Sequence, residues 1–183
     1  DVDHVTSVVN DNEKGGRDVA DHLVSEGFQR IAFIAGLEIT SDGRDRAKGF
    51  RQRMGELGFG DFVTEPGYYS YEGASEATRR LLSQHPRPDA VFCANDVMAA
   101  ATIDVAKNEF GLRIPEDLAV VGYDNSSLAQ WPAYSLTSFD LNIPEMARLA
   151  VDALLSEVAD NGAELRIVVP ARLIPRQSSR RSN

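Results

Sequence analysis

Residues 89–94 read Asp-Ala-Val-Phe-Cys-Ala, with nothing polar after the aspartate, so a strand made from them must be covered on both faces. Pro88 stands before this run and Asn95-Asp96 directly after it. A short side-chain oxygen at Asn95 or Asp96 can accept from an unpartnered amide of a first helical turn, and Val97, Ala100, Ala101 and Ile103 come next at helical spacing. The stretch is therefore strand, cap and helix. In open α/β sheets ligands gather at the carboxyl ends of strands, which makes Asn95 and Asp96 the first candidates for function.

The same rhythm extends along the chain. Residues 5–9 are strand-like, Asn10-Asp11-Asn12 can cap the next helix, and Val19, Ala20, Leu23 and Val24 share one face of that helix, which ends near Gly27. Residues 30–36 form a second apolar strand. After the polar loop 38–45, Ala47, Phe50, Met54 and Leu57 recur at spacings of three and four. Arg44 and Arg46 then fall in the first turn of that helix, where its dipole disfavours a cation, so a partner is needed: Asp42, Asp45 or a ligand. Phe62-Val63-Thr64 starts a further strand, and Tyr68, Tyr69 and Tyr71 precede a helix bearing Ala74, Ala77, Leu81 and Leu82. Rings in such a loop either line a ligand site or are ordinary loop surface. Residues 118–123 make another apolar strand, which stops at Asp124-Asn125-Ser126-Ser127. Strands of this kind alternating with helices predict an α/β protein with a parallel sheet in a three-layer α/β/α lobe.

The rhythm changes after Trp131-Pro132. Residues 135–140 are extended, and Ile143, Met146, Leu149, Ala153, Leu154 and Val158 mark a long amphipathic helix that ends at Asn161-Gly162. Residues 166–175 read as one edge strand interrupted by proline, and residues 176–183, polar and basic, as a disordered end. Met98, Ala99 and Ile103 spread apolar surface around the helix after Asn95, which predicts a subunit interface there.

Several classes of function are disfavoured. A net charge of −9 repels nucleic acid phosphates, so this chain by itself should not hold DNA. The lone Cys93 sits in an apolar strand, as a buried hydrophobe would, and fits a reducing compartment. His4, His22 and His85 have no partners at ligand spacing, so no metal site is expected. Gly15-Gly16 lacks the lysine of a phosphate loop, which leaves a packing or helix-entry role. No nucleophile beside a base, no paired carboxylates and no cofactor fingerprint is evident, so neither catalysis nor a cofactor is expected. No apolar run approaches bilayer length, and the acidic start is unlike an export signal, so the expected location is cytoplasmic. The chain begins without Met, and an upstream portion is expected to be absent from it.

Arg46, Asn95 and Asp124 come after separate strands and are expected at one edge of the sheet, with one or two tyrosines nearby. A carboxylate accepts from vicinal hydroxyls, an amide donates and accepts, and a guanidinium donates, which together suit a polyhydroxylated ligand. The alternative for Asn95 and Asp124 is helix capping and turn formation.

The run PDAVFCANDVMAAA, then GLRIPEDLAVVGYDNSSLAQWPAYSLTSF and the closing VVPARLIPRQSS, resembles the LacI/GalR family of bacterial transcriptional regulators. DNEKGGRDVADHLVSEGFQRIAFIAG and GRDRAKGFRQRM match the same family in the same order. The resemblance implies part of a type I periplasmic-binding-protein-like effector domain, without the DNA-binding headpiece. Residues 11–135 and 165–176 would belong to the second lobe, and residues 1–10 and 140–162 would be remnants of the first.

It further implies that Arg46, Asn95 and Asp124 bind a small-molecule effector, with Asp42 a weaker candidate. The aromatic that stacks on the effector falls on Tyr69 if Ala74 stands at the family's glycine, and on Tyr68 if Gly73 does; the distance to Leu81 favours Tyr69. Asn125 departs from the acidic residue common after GYD. Val97, Met98, Ala101 and Trp131 would lie in a homodimer interface. The implied function is effector sensing in a sugar-responsive repressor that meets operator DNA only through the headpiece, with no membrane partner; the alternative is a periplasmic sugar-binding protein of an ABC transporter.

Overall fold

The computed structural model describes residues 6–155 and 166–180. They form two compact units, one from the described parts of Asp1–Asp11 and Leu141–Arg172, the other from those of Asn12–Asp140 and Leu173–Asn183. In chain order, β1 (Ser7–Asn10) belongs to the smaller unit. The larger unit then alternates α1 (Asn12–Ser25), β2 (Ile31–Ala35), α2 (Ser41–Glu56), β3 (Val63–Pro66), α3 (Tyr71–Leu82), β4 (Ala90–Cys93), α4 (Asp96–Asn108) and β5 (Ala119–Val121). After β6 (Ser138–Asp140) come α5 (Ile143–Leu155), β7 (Arg166–Val169) and β8 (Arg172–Ile174).

In the larger unit β3, β2, β4 and β5 lie parallel in that order. Every residue of β2, β4 and β5 is buried, as their unbroken apolar runs require, while β3 takes the edge with Val63 and Thr64 exposed. Right-handed crossovers carry α2 over one face on the way from β2 out to β3, and α3 and α4 over the other on the way back through β4 to β5. α1 packs along α2, and α3 along α4. The sheet is thus the middle of three layers. Because the path reverses between β2 and β4, the loops leaving those two strands diverge and leave a crevice at their carboxyl ends.

Packing fixes this frame. Phe33 of β2 stands level with Phe92 of β4 and stacks on it at 5.0 Å, and Phe50 of α2 closes on them at 5.4 and 4.9 Å. α1 and α2 meet backbone to backbone: a Cβ at Gly49 would stand 1.9 Å from the Glu13 carbonyl oxygen, and one at Gly16 2.2 Å from that of Arg46. The Gly15-Gly16 pair is therefore a packing device. Cys93 is fully buried and burial pushes its thiol up to about 12, so it is inert at neutral pH.

The smaller unit pairs β1 with β7 in parallel, and Asn10 Nδ2 donates to the carbonyls of Val169 and Leu141 at 3.0 and 2.9 Å. No residue of α5 is buried; Ile143, Val151, Leu154 and Leu155 are all exposed. The expected helix end at Asn161-Gly162, with Val158, lies outside the described residues.

Two expectations at the carboxyl-terminal side are corrected. Residues 166–175 are two strands, because Pro170 interrupts the ladder: β7 pairs with β1 in the smaller unit and β8 with β6. Residues 166–172 thus leave the lobe assigned to them from sequence, and residues 136–140 remain with the larger unit. Residues 176–180 are ordered rather than loose. Ser178 donates to the Val120 carbonyl at 2.6 Å and accepts from the Thr137 amide at 2.8 Å, Ser179 bonds His22 and Thr137 at 2.7 Å each, and both serines are buried. Among the described residues no helix is long and apolar enough to cross a membrane.

Candidate functional site

Helix α2 begins at a cap that the spacing of apolar residues does not reveal. Thr40 is extended (φ −86°, ψ 143°) and its hydroxyl accepts from the Gly43 amide at 3.1 Å. This start is earlier than expected, so Asp42 occupies the first turn, where the dipole favours an anion, and Arg46 the second. The dipole penalty assigned to Arg46 therefore does not apply, and its partners come from other elements. Nε and Nη2 donate to Asn12 Oδ1 at 3.3 and 2.8 Å, Nη1 donates to the Ala94 carbonyl, and the guanidinium carbon lies 3.4 Å from the Tyr123 ring centroid. Arg46 is 4% exposed, and its nearest carboxylate oxygen is that of Asp124, 3.9 Å away.

Asn12 is the residue that sequence reasoning missed. Its Nδ2 donates to Asp42 Oδ1 at 3.0 Å while its Oδ1 takes both Arg46 bonds, so one amide orients a carboxylate and a guanidinium together. Its place at the start of α1 suggested only a capping cluster. Gly15, a turn further on, makes room for Tyr123: a Cβ there would meet the phenol oxygen at 2.0 Å.

At the end of β4, Asn95 caps α4, its Oδ1 accepting from the Met98 amide at 2.9 Å. Asp96, one residue on, turns inward and is 1% exposed. It accepts from the Ser138 hydroxyl at 2.6 Å and the Ser126 amide at 2.7 Å, which ties the loop after β5 to α4, and burial raises its pKa. Of these two candidates, then, Asn95 faces the crevice and Asp96 holds the frame. Asp124 sits in that loop at φ 105°, a conformation that leaves its carboxylate 40% exposed. Desolvation lifts its pKa to about 7 against the pull of Arg46, and Asp96 and Asp42 add to the rise.

Tyr68 and Tyr69 both have positive φ, 55° and 56°. The Tyr69 ring packs over Gly36, where a Cβ would come within 2.1 Å of its Cζ. Thr40, Asp42, Arg46, Tyr69, Asn95 and Asp124 line one hollow of about 220 Å³ at the carboxyl ends of the strands. Tyr68 stands apart, 59% exposed, in a neighbouring hollow. The expected set thus converges, apart from Tyr68, and Thr40 joins it. A hollow that presents a carboxylate, a guanidinium, an amide, a hydroxyl and an aromatic ring can exchange hydrogen bonds with a polyol while packing on its C–H face.

The residues expected to face a second copy divide. Val97 and Trp131 are 42% and 55% exposed. Met98 and Ala101 are fully buried within their own unit and are withdrawn as interface residues. The breadth of apolar surface on α4 is consumed internally, by α3, β4, β5 and the short helix Ser127–Gln130.

Many ligand-binding α/β proteins carry a crevice of this kind at the reversal of a parallel sheet, and the family that matches this chain, over residues 20–179, is the periplasmic binding protein-like domain. The chain is 36% identical over 182 residues to the HTH-type transcriptional regulator CelR of Thermobifida fusca, across 96% of its own length and 52% of that protein. A LacI transcriptional regulator from a Rhodococcus species superposes with a TM-score of 0.89 at 29% identity, over 96% of this chain and 65% of that one. A CelR–cellobiose complex superposes at 0.82 with 35% identity, over 96% and 54%. The chain belongs to the LacI/GalR family of transcriptional regulators, and it spans about half the length of the curated relatives it matches.

Proposed function

We propose that this chain is the effector-sensing and dimerising region of a sugar-responsive transcriptional repressor in the cytoplasm, acting on operator DNA through a separate headpiece and carrying no catalysis. The observation that carries the reading is the convergence of Arg46, Asn95, Asp124 and Tyr69 on one hollow at the switch point of the sheet. Asp124 accepts from two sugar hydroxyls, Arg46 and the amide nitrogen of Asn95 donate, and Tyr69 covers a C–H face. Asp42 and Thr40 complete the rim. A sugar is favoured by the cellobiose held in the CelR complex, and a regulator over a transport protein by the kind of relatives matched. Sensing works by differential affinity: the effector shifts the protein only as far as it prefers one arrangement over another.

The test is effector binding and operator release in the intact protein. Asp124→Ala is expected to abolish release by sugar while operator binding persists. The carboxylate accepts hydroxyls best when charged, so wild-type affinity for the sugar rises as pH climbs through about 7 and is lost below it. Asp124→Asn flattens that profile. Release that survives Asp124→Ala, or a wild-type profile that is flat near neutrality, counts against the assignment.

Val97 and Trp131 support a homodimer formed on the face of α4 and the Ser127–Gln130 helix, since each leaves a large apolar side chain in water. Val97→Asp with Trp131→Ala is expected to weaken self-association by about tenfold or more in sedimentation. An unchanged dimer constant would remove this face from consideration.

A further inference from the structure

We propose that Arg176 and Asn125 are positioning residues for effector binding: together they clamp the turn that carries Asp124, and the affinity for a sugar depends on that clamp. The inference rests on the sugar-sensing reading above. Asp124 and Asn125 are consecutive residues at positive φ, 105° and 48°. Residues other than glycine rarely adopt such values, and two in succession persist only where the surroundings enforce them. The Asp124 carboxylate does not supply the enforcement, because it is 40% exposed and Arg46 stands 3.9 Å away, beyond hydrogen-bond reach. The direction of that carboxylate is therefore set by the backbone on either side of it.

Each residue of the turn is held from a different place. The Asp124 amide donates to the Phe139 carbonyl at 3.1 Å, the Asn125 amide to the Ser138 hydroxyl at 2.9 Å, and the Ser126 amide to Asp96 at 2.7 Å. Asn125 is tied a second time, through its side chain: Arg176 Nη2 donates to its Oδ1 at 2.7 Å. The donor is charged, which makes such a bond roughly twice as strong as one between neutral groups.

Arg176 reaches the turn from a fixed base. Its amide donates to the Thr137 hydroxyl at 2.8 Å, and that hydroxyl donates to its carbonyl at 3.0 Å. Nη1 donates to the Leu136 carbonyl at 2.6 Å, and two residues on, Ser178 is bonded to Val120 and Thr137. Fastening this end of the chain to the sheet needs only those contacts. The second arm of the guanidinium goes further, to the residue next to the effector carboxylate. A carboxylate already held in one direction binds a sugar more tightly, because its ordering cost is met on folding and not on binding.

Hydrogen exchange and calorimetry of the intact protein test this, with glucose, galactose, ribose, cellobiose and maltose as probes. Arg176→Met and Asn125→Gly are each expected to speed exchange of the amides at 125 and 126 and to weaken the tightest-binding sugar about tenfold. The double variant should bind no more weakly than either single one, since both remove the same bond. Glycine adopts positive φ freely, so Asn125→Gly loses the clamp without straining the turn; a loss of affinity in a variant that melts with wild type separates positioning from stability. Asn125→Asp keeps acceptor oxygens for Arg176 and tolerates positive φ, so it should retain most of the affinity. Asp124→Ala should abolish binding. Unchanged exchange, unchanged affinity in Arg176→Met and Asn125→Gly, or losses that add in the double variant overturn the clamp while the sensing reading stands. No binding by any of these sugars, or binding that survives Asp124→Ala, overturns both.

Discussion

Arg46→Met is expected to cost about 3 kcal/mol of unfolding free energy and to eliminate effector binding at the same time. Methionine keeps much of the packing volume against Tyr123, so the loss reports mainly the hydrogen bonds that the guanidinium makes. Asn12 Oδ1 loses two donors and the Ala94 carbonyl loses one, and a hydrogen bond to a charged group contributes about 1.5–3 kcal/mol. Asn12 then no longer holds Asp42 in place, which removes a second wall of the hollow. Arg46→Lys should recover little. A single ammonium cannot reach Asn12 and Ala94 together in the forked geometry that the guanidinium uses. Urea unfolding, with the midpoint shifted and the slope unchanged, checks the first effect, and calorimetry the second. A Lys variant as stable as wild type would show that charge alone, rather than the fork, is what the site requires.

Gly49→Ala should destabilise by about 2–3 kcal/mol although alanine is the better helix former. A methyl group at Gly49 collides with backbone atoms of Glu13, 1.9–2.9 Å away, and backbone cannot swing aside as a side chain can. α1 must move off α2. That displacement also draws Asn12, on α1, away from Arg46, on α2, so effector affinity falls with stability. Gly55→Ala, in the same helix with nothing within 4 Å of the added group, supplies the contrast. There the change should stabilise by about 0.5–1 kcal/mol, because only helix propensity and unfolded-state entropy respond. Equal effects at the two positions would mean that the α1–α2 approach is softer than its geometry implies.

The parallel sheet and its helices were legible in the chain because fully buried strands leave unbroken apolar runs, and β2, β4 and β5 each do. The convergence of Arg46, Asn95 and Asp124 was legible for a topological reason: Asn95 and Asp124 lie just beyond strand ends, and Arg46 lies near the start of the helix that follows β2. What was hidden depends on contacts between residues distant in sequence. The Thr40 cap carries no apolar signature, so the α2 boundary, and with it the electrostatic setting of Arg46, was misjudged. Asn12 is one polar residue among several until Arg46 and Asp42 are brought to it. The apolar breadth of α4 invited a partner chain, yet Met98 and Ala101 are used up by α3 and the sheet, and only Val97 and Trp131 remain outside. Ser178 and Ser179 looked like the polar residues of a loose tail because composition does not distinguish a solvated serine from one bonded to a distant carbonyl.

Those two serines set the order in which the larger unit can be finished. Their partners, His22, Val120 and Thr137, leave the ribosome long before residues 176–180 do, with 157 positions separating His22 from Ser179. Until translation reaches them, the Val120 carbonyl and the Thr137 amide wait on water or on a chaperone. The flank of the sheet beside β5 therefore depends on the most distant pairing in the unit, the kind of contact that is costliest to close.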